Sequence, residues 1–177
     1  MCIRDSPKDF DTNPEQIAVG GDSAGGNLAA AVSIMARDKK QPNIAHQLLV
    51  YPMLDCNFST SSYIDNSEGY LLTKSAMKSY WNQYLATEKD KDNPYALPLQ
   101  LKDYSNLPPA LIITTEFDPL RDEGELYAKR LKDSKVNVVC TRYDGVFHGF
   151  FGRTTLIKKG RLAMDQACLS LKEAFKK

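Results

Sequence analysis

Val19-Gly20-Gly21-Asp22-Ser23-Ala24-Gly25-Gly26 decides how this chain reads. Within it, Gly21-Asp22-Ser23-Ala24-Gly25 fits G-x-S-x-G, in which a serine sits on a sharp, strained strand-to-helix turn that exposes its hydroxyl. The flanks agree with that pattern. Residues 16–20 form a short apolar run of strand type, and residues 27–38 have helical spacing, with Leu28, Val32 and Met35 on one face. A Cβ on Gly21 or on Gly25 is expected to collide as the chain reverses, and Ser23 is forced toward unfavourable backbone angles. Ala24 then opens a helix, where its N–H and the helix dipole can stabilise an oxyanion. A glycine-rich turn around a buried serine has the same local pattern; the strand before it and the helix after it favour the nucleophile.

A serine needs a base, and the base needs an orienting group. The chain has two histidines. His46 starts the apolar run His46-Gln47-Leu48-Leu49-Val50-Tyr51, a buried-strand pattern, and reads as structural. His148 lies in Tyr143-Asp144-Gly145-Val146-Phe147-His148-Gly149-Phe150, expected as a glycine-punctuated loop after a strand at 136–142. Loops carried by a rigid sheet are where catalytic groups concentrate. Ala110-Leu111-Ile112-Ile113-Thr114-Thr115 is the strongest strand signal in the chain, and Glu116-Phe117-Asp118-Pro119 follows it at once. Hydrolases with this elbow carry the acid between serine and histidine in the chain. Asp118, just past the strand end with Pro119 stiffening the turn, is the candidate acid, and Glu116 is its competitor. Asp122 and Glu123 read as charges favouring the start of the next helix.

The chain resembles the hormone-sensitive-lipase-like branch of the α/β-hydrolases, the bacterial carboxylesterases of that group. The resemblance rests on Gly21-Asp22-Ser23-Ala24-Gly25-Gly26-Asn27-Leu28-Ala29, Leu49-Val50-Tyr51-Pro52, Gly69-Tyr70-Leu71-Leu72-Thr73 and Asn93-Pro94-Tyr95-Ala96. It continues through Leu107-Pro108-Pro109-Ala110, Phe117-Asp118-Pro119-Leu120-Arg121-Asp122-Glu123-Gly124-Glu125 and Phe147-His148-Gly149-Phe150. It implies Ser23 as nucleophile, Asp118 as acid and His148 as base, with Ala24 N–H in the oxyanion hole and Gly21, Asp22 and Gly25 building the elbow. It also implies small-molecule esters of short-to-medium acyl length as substrates, and no cofactor or metal. The family takes further oxyanion donors from a His-Gly-Gly-Gly type loop well upstream of the nucleophile, and only 22 residues precede Ser23 here. The expectation is therefore the C-terminal part of an α/β-hydrolase fold, poorly active alone, with strand 16–20 presenting an unpaired edge. Residues 1–6, Met1-Cys2-Ile3-Arg4-Asp5-Ser6, depart from the family before Pro7 and read as an artefactual leader; residues 7–177 form the truncated catalytic domain.

Composition excludes several other classes. The chain has 177 residues and a formal net charge of +1, with 23 basic and 22 acidic side chains and no basic stripe, so nucleic acid has no electrostatic footprint. The pairs Lys39-Lys40, Lys158-Lys159 and Lys176-Lys177 read as solvated element ends, and Glu88-Lys89-Asp90-Lys91-Asp92 as an exposed loop. No apolar run reaches the ~18 residues of a membrane span. Cys2, Cys56, Cys140 and Cys168 form no C-x-x-C pair, which argues against zinc and suits a reducing cytoplasm.

Strand and helix signals alternate, which predicts an α/β fold with a mostly parallel sheet and helices on both faces. Strands are expected at 16–20, 46–51, 110–115 and 136–142, and helices at 25–38, 122–134 and 160–175. The last is expected to face the sheet with Leu162, Met164, Ala167, Cys168, Leu171 and Phe175. The stretch 52–107 breaks the rhythm and reads as a partial cap around a helix at 74–86, whose Met77, Tyr80, Trp81, Tyr84 and Leu85 are in helical register. Two other functions remain open: an amide or carbamate hydrolase on the same triad, and a non-catalytic small-molecule-binding protein on the same scaffold. The sequence assigns no oligomeric state.

Overall fold

Residues 110–115, six consecutive buried positions, form the spine of the sheet. The computed structural model describes residues 16–176 together with Lys8, Asn13 and Pro14. Residues 1–6, with Cys2 among them, lie outside the described residues. In chain order the elements are β1 (Ile17–Asp22), α1 (Ala24–Lys39), β2 (Ile44–Val50), α2 (Ser61–Asp65), α3 (Lys74–Tyr84), two 3-10 turns (Glu88–Asp92 and Pro98–Gln100), β3 (Ala110–Phe117), α4 (Arg121–Asp133), β4 (Val138–Phe147) and α5 (Lys158–Ala174). The strands lie in the order β1-β2-β3-β4, and all three pairings are parallel. Parallel neighbours need long crossover connections, and strands covered on both faces read as near-continuous apolar runs.

Side chains alternate across the sheet and divide the core into two layers. On one face Leu49, Ala110 and Ile112 pack with Ala29, Ala30 and Ile34 of α1 and with Tyr127, Ala128 and Leu131 of α4. On the other, Val50, Leu111 and Ile113 pack with Ala163 and Ala167 of α5. Each large-to-alanine change in these layers is expected to cost about 2–5 kcal/mol. Between β2 and β3 the chain adds no strand to the sheet. Met53, Tyr63, Leu72, Met77, Trp81 and Leu97 instead form a third cluster with Leu120 at the entrance to α4. Thr73 caps α3 by accepting the Ala76 N–H at 3.1 Å.

Several boundaries and faces differ from expectation. The face of α1 that carries Leu28 and Val32 looks outward, with Leu28 55% exposed; small residues, Ala29, Ala30, Ser33 and Ala36, cover the sheet together with Ile34. The same holds for α5, where Gly160, Ala163 and Ala167 are buried while Leu162, Cys168, Leu169 and Phe175 are exposed. Small residues let a helix lie close to the sheet, so hydrophobicity alone misplaces the buried stripe. Strand β4 runs on through Gly145 to Phe147, so it takes up most of the segment expected as a loop, and His148 lies in the turn that follows it. Helix α3 stops at Tyr84; its Met77 and Trp81 are buried, whereas Tyr80 and Tyr84 face out. The alternating-sign segment at 88–92 is a 3-10 turn with no buried residue.

Candidate active site

The turn after β1 is held from three sides. Ser23 has φ 54° and ψ −117°, a conformation costly for a residue with a side chain. Its N–H donates to the Val50 carbonyl at 2.9 Å, and its own carbonyl accepts from Asn27 N–H at 3.1 Å and Met53 N–H at 3.2 Å. A Cβ on Gly21 would stand 2.3 Å from the Gly25 carbonyl carbon, so that glycine is sterically required. Gly25 differs from expectation: its own Cβ would meet nothing within 4 Å among the described residues. The second crowded glycine is Gly26, whose Cβ would stand 2.8 Å from Pro52 Cβ. Asn27, buried, donates to the carbonyls of Met53 at 2.8 Å and Ala96 at 2.9 Å, tying the loop after β2 to the base of the turn.

Strand ends bring the remaining groups together. Asp118, fully buried, follows β3, and His148, 9% exposed, follows β4. His148 Nδ1 lies 2.7 Å from Asp118 Oδ2, and His148 Nε2 lies 3.0 Å from Ser23 Oγ. With Nδ1–H donated to the carboxylate, Nε2 is free to accept the serine hydroxyl proton. The second Asp118 oxygen accepts the Leu120 N–H at 2.9 Å, which fixes the carboxylate plane. Glu116 is engaged elsewhere: its Oε2 accepts the Gly145 N–H at 2.6 Å. Gly149, at φ +85°, follows the histidine, and its carbonyl accepts from Arg153 Nη1. Ala24 is the first residue of α1, so its N–H is one of the four without an acceptor inside the helix.

His46 sits on β2, buried, with Nε2 3.1 Å from Ser170 Oγ of α5. Burial pushes its pKa down. Glu123, in the first turn of α4, differs from a solvated helix-start charge. It is 3% exposed, its Oε2 accepts the Asp55 N–H at 2.8 Å, and Oε1 has no protein partner. Burial pushes its pKa well up, and the Asp55 and Asp118 charges push in the same direction against two backbone N–H groups. Asp122 accepts the Ser62 N–H at 2.7 Å instead of standing free at the helix start.

Sequence reasoning gave Tyr51 and Asn27 no individual task and read Glu123 as a helix-start charge. A polar residue at the start of a small-residue helix was a signal for Asn27. For Glu123, the apolar surroundings come from elements distant in sequence. Among the described residues no three His, Cys, Asp or Glu side chains are grouped to hold a metal. No helix among them is long and apolar enough to cross a membrane.

The fold and the site together define a class. The family model for the alpha/beta hydrolase fold matches residues 2–152, and the chain belongs to that family. An arylesterase of Saccharolobus solfataricus is 40% identical over 153 residues, covering 86% of this chain and 50% of the relative. The carboxylic ester hydrolase LipN of Mycobacterium tuberculosis is 42% identical over 147 residues, covering 80% of this chain and 39% of the relative. Among solved structures, a hyperthermophilic esterase from Pyrobaculum calidifontis superposes with a TM-score of 0.92 at 44% identity, covering 97% of this chain and 57% of that one. A thermostable esterase from Pseudomonas putida gives 0.93 at 36% identity, covering 97% and 55%. The chain spans about half the length of the curated relatives it matches.

Proposed function

We propose that the chain carries the nucleophile, acid and base of a carboxylic ester hydrolase. One observation carries the reading: the unbroken hydrogen-bonded run from Asp118 through His148 to Ser23, across sequence separations of 30 and 125 residues. Esterase names among the relatives favour the same chemistry. Ser23 Oγ attacks the ester carbonyl while His148 Nε2 takes its proton, and Asp118 orients the ring and stabilises the imidazolium. The Ala24 N–H donates to the oxyanion. His148 returns the proton to the leaving alkoxide, and the alcohol departs. Water then attacks the acyl-Ser23 ester with His148 again as base, releasing the carboxylic acid and restoring the hydroxyl.

The substrates are small-molecule esters of short-to-medium acyl length, as the family resemblance implies, and the reaction needs no metal or cofactor. The segment 52–107 acts as part of a cap over this site. Each oxyanion donor is worth roughly 10²–10³ in rate, so with Ala24 as its donor the 177-residue chain turns over esters slowly on its own. The cysteines suit a reducing cytoplasm.

Hydrolysis of 4-nitrophenyl acetate and butyrate, beside the matching 4-nitroanilides, tests the reading. Esters are cleaved above the rate of Ser23→Ala and anilides are not. Equal ester rates in the wild type and Ser23→Ala would contradict it.

A further inference from the structure

We propose that Tyr51 is a positioning residue whose ring holds the His148 imidazole against Ser23, and whose backbone is tied to the turn that carries the serine. The proposal rests on the reading of His148 as the base. Tyr51 follows β2, is buried, and has its ring centroid 4.4 Å from that of His148, tilted by 49°. Phe150 lies beside the same phenol, 6.1 Å away between centroids and tilted by 59°. Burial, with the charges of Asp22, the residue immediately before the nucleophile, and of Asp118, pushes the pKa of the Tyr51 hydroxyl up. The charged groups near the pair are Asp118, bonded to the imidazole, with Asp22 and Arg153 acting on the phenol through their charge.

The backbone at this position is committed as well. Val50, one residue before Tyr51, accepts the Ser23 N–H, and Met53, two residues after it, donates to the Ser23 carbonyl. Tyr51 N–H donates to Ile113 of β3 at 2.6 Å. These bonds fix the phenol relative to both the serine and the strand that leads to Asp118. Tyr51 has φ 33°, a strained conformation for a non-glycine residue that persists only where the surroundings impose it. Catalytic groups displaced by as little as ~1 Å lose about 10²-fold in rate, so a rigid aromatic surface beside the base has a kinetic consequence.

The test uses the 177-residue chain and four variants, Tyr51→Phe, Tyr51→Leu, Tyr51→Met and His148→Ala. Two readouts are taken: the rate at which a fluorophosphonate labels Ser23, and the low-field proton signal of the His148 Nδ1–H in histidine-labelled protein. With two histidines in the chain, His148→Ala assigns that signal. Tyr51→Phe keeps the ring and labels within about threefold of wild type, with the signal retained. Tyr51→Leu labels tenfold to a hundredfold more slowly, and its signal broadens by exchange with water while far-UV circular dichroism is unchanged. Tyr51→Met, which fills similar volume without a flat face, behaves as Leu does and serves where Leu unfolds. Wild-type labelling and an unchanged signal in the folded Leu or Met variant would overturn the proposal, as would a Phe variant as slow as Leu. His148→Ala separates the two claims. If it labels at the wild-type rate, the base assignment fails and this proposal falls with it. If it is slow while the non-aromatic variants are fast, the role of Tyr51 alone is refuted.

Discussion

Pro52 seats against Gly26 so closely that a Cβ on the glycine would stand 2.8 Å from the proline Cβ. The same ring faces the start of α4, where a Cβ on Gly124 would lie 3.6 Å from Pro52 Cδ. The loop leaving β2 is therefore wedged between the first turns of α1 and α4, one carrying the serine turn and the other following the acid. Gly26→Ala is expected to destabilise the fold by about 1–3 kcal/mol through overpacking. Gly25→Ala, whose Cβ meets nothing within 4 Å, should change stability by less than about 0.5 kcal/mol. Urea unfolding of the two variants makes the comparison, and equal losses would show that the wedge does not limit this region.

Glu123 gives stability a pH dependence of defined sign. Its pKa in the folded protein is raised above the ordinary 4.5, chiefly by burial, so the folded state holds this proton more tightly than the unfolded chain. The resulting stabilisation is complete below about 4.5 and is lost as pH rises through the folded-state value. Glu123→Gln, a neutral side chain of the same shape, should remove that decline. Urea midpoints measured in steps upward from pH 5 should fall in wild type relative to Glu123→Gln. Parallel curves would mean that the carboxyl ionises in place.

His46 works in the opposite sense. Burial lowers its pKa below the ordinary 6.5, so folding favours the neutral ring and stability is lost as pH falls below that value. His46→Ala removes the bond to Ser170 and leaves a small void. It should cost about 1–3 kcal/mol at neutral pH while flattening the acid-side loss. Ser23 labelling in the folded variant should stay near the wild-type rate. A loss as large as that in His148→Ala would reopen the choice between the two histidines.

The order of strands and helices was legible because the central strands β2 and β3 are largely apolar runs and the helices between strands keep a 3.6-residue period. The meeting of Ser23, Asp118 and His148 was legible as a placement, because the strained turn of Ser23 leaves a glycine pattern and the other two follow strand signals. The helix faces were less so. In α1 and α5 the buried stripe is mostly small residues, which lie close to the sheet, while Leu28, Leu162 and Leu169 face outward. Glu123 was read as a charge because the pattern fits a helix start equally well. Its raised pKa follows chiefly from burial, beside Asp55, 68 residues away. Gly25 was credited with a clash that belongs to Gly26, because the colliding group, Pro52, arrives from the far end of β2.

The central claim is that His148, held by Asp118, activates Ser23, and fluorophosphonate labelling with the adduct located by mass spectrometry tests it most directly. Serine attack on phosphorus expels fluoride and passes the hydroxyl proton to the base, so the rate reports the activated hydroxyl without requiring turnover. The account predicts one adduct per chain, on Ser23, formed at least about 10³-fold more slowly in His148→Ala, with Asp118→Asn also slowed. An adduct on another residue, or labelling of His148→Ala at the wild-type rate, would contradict it.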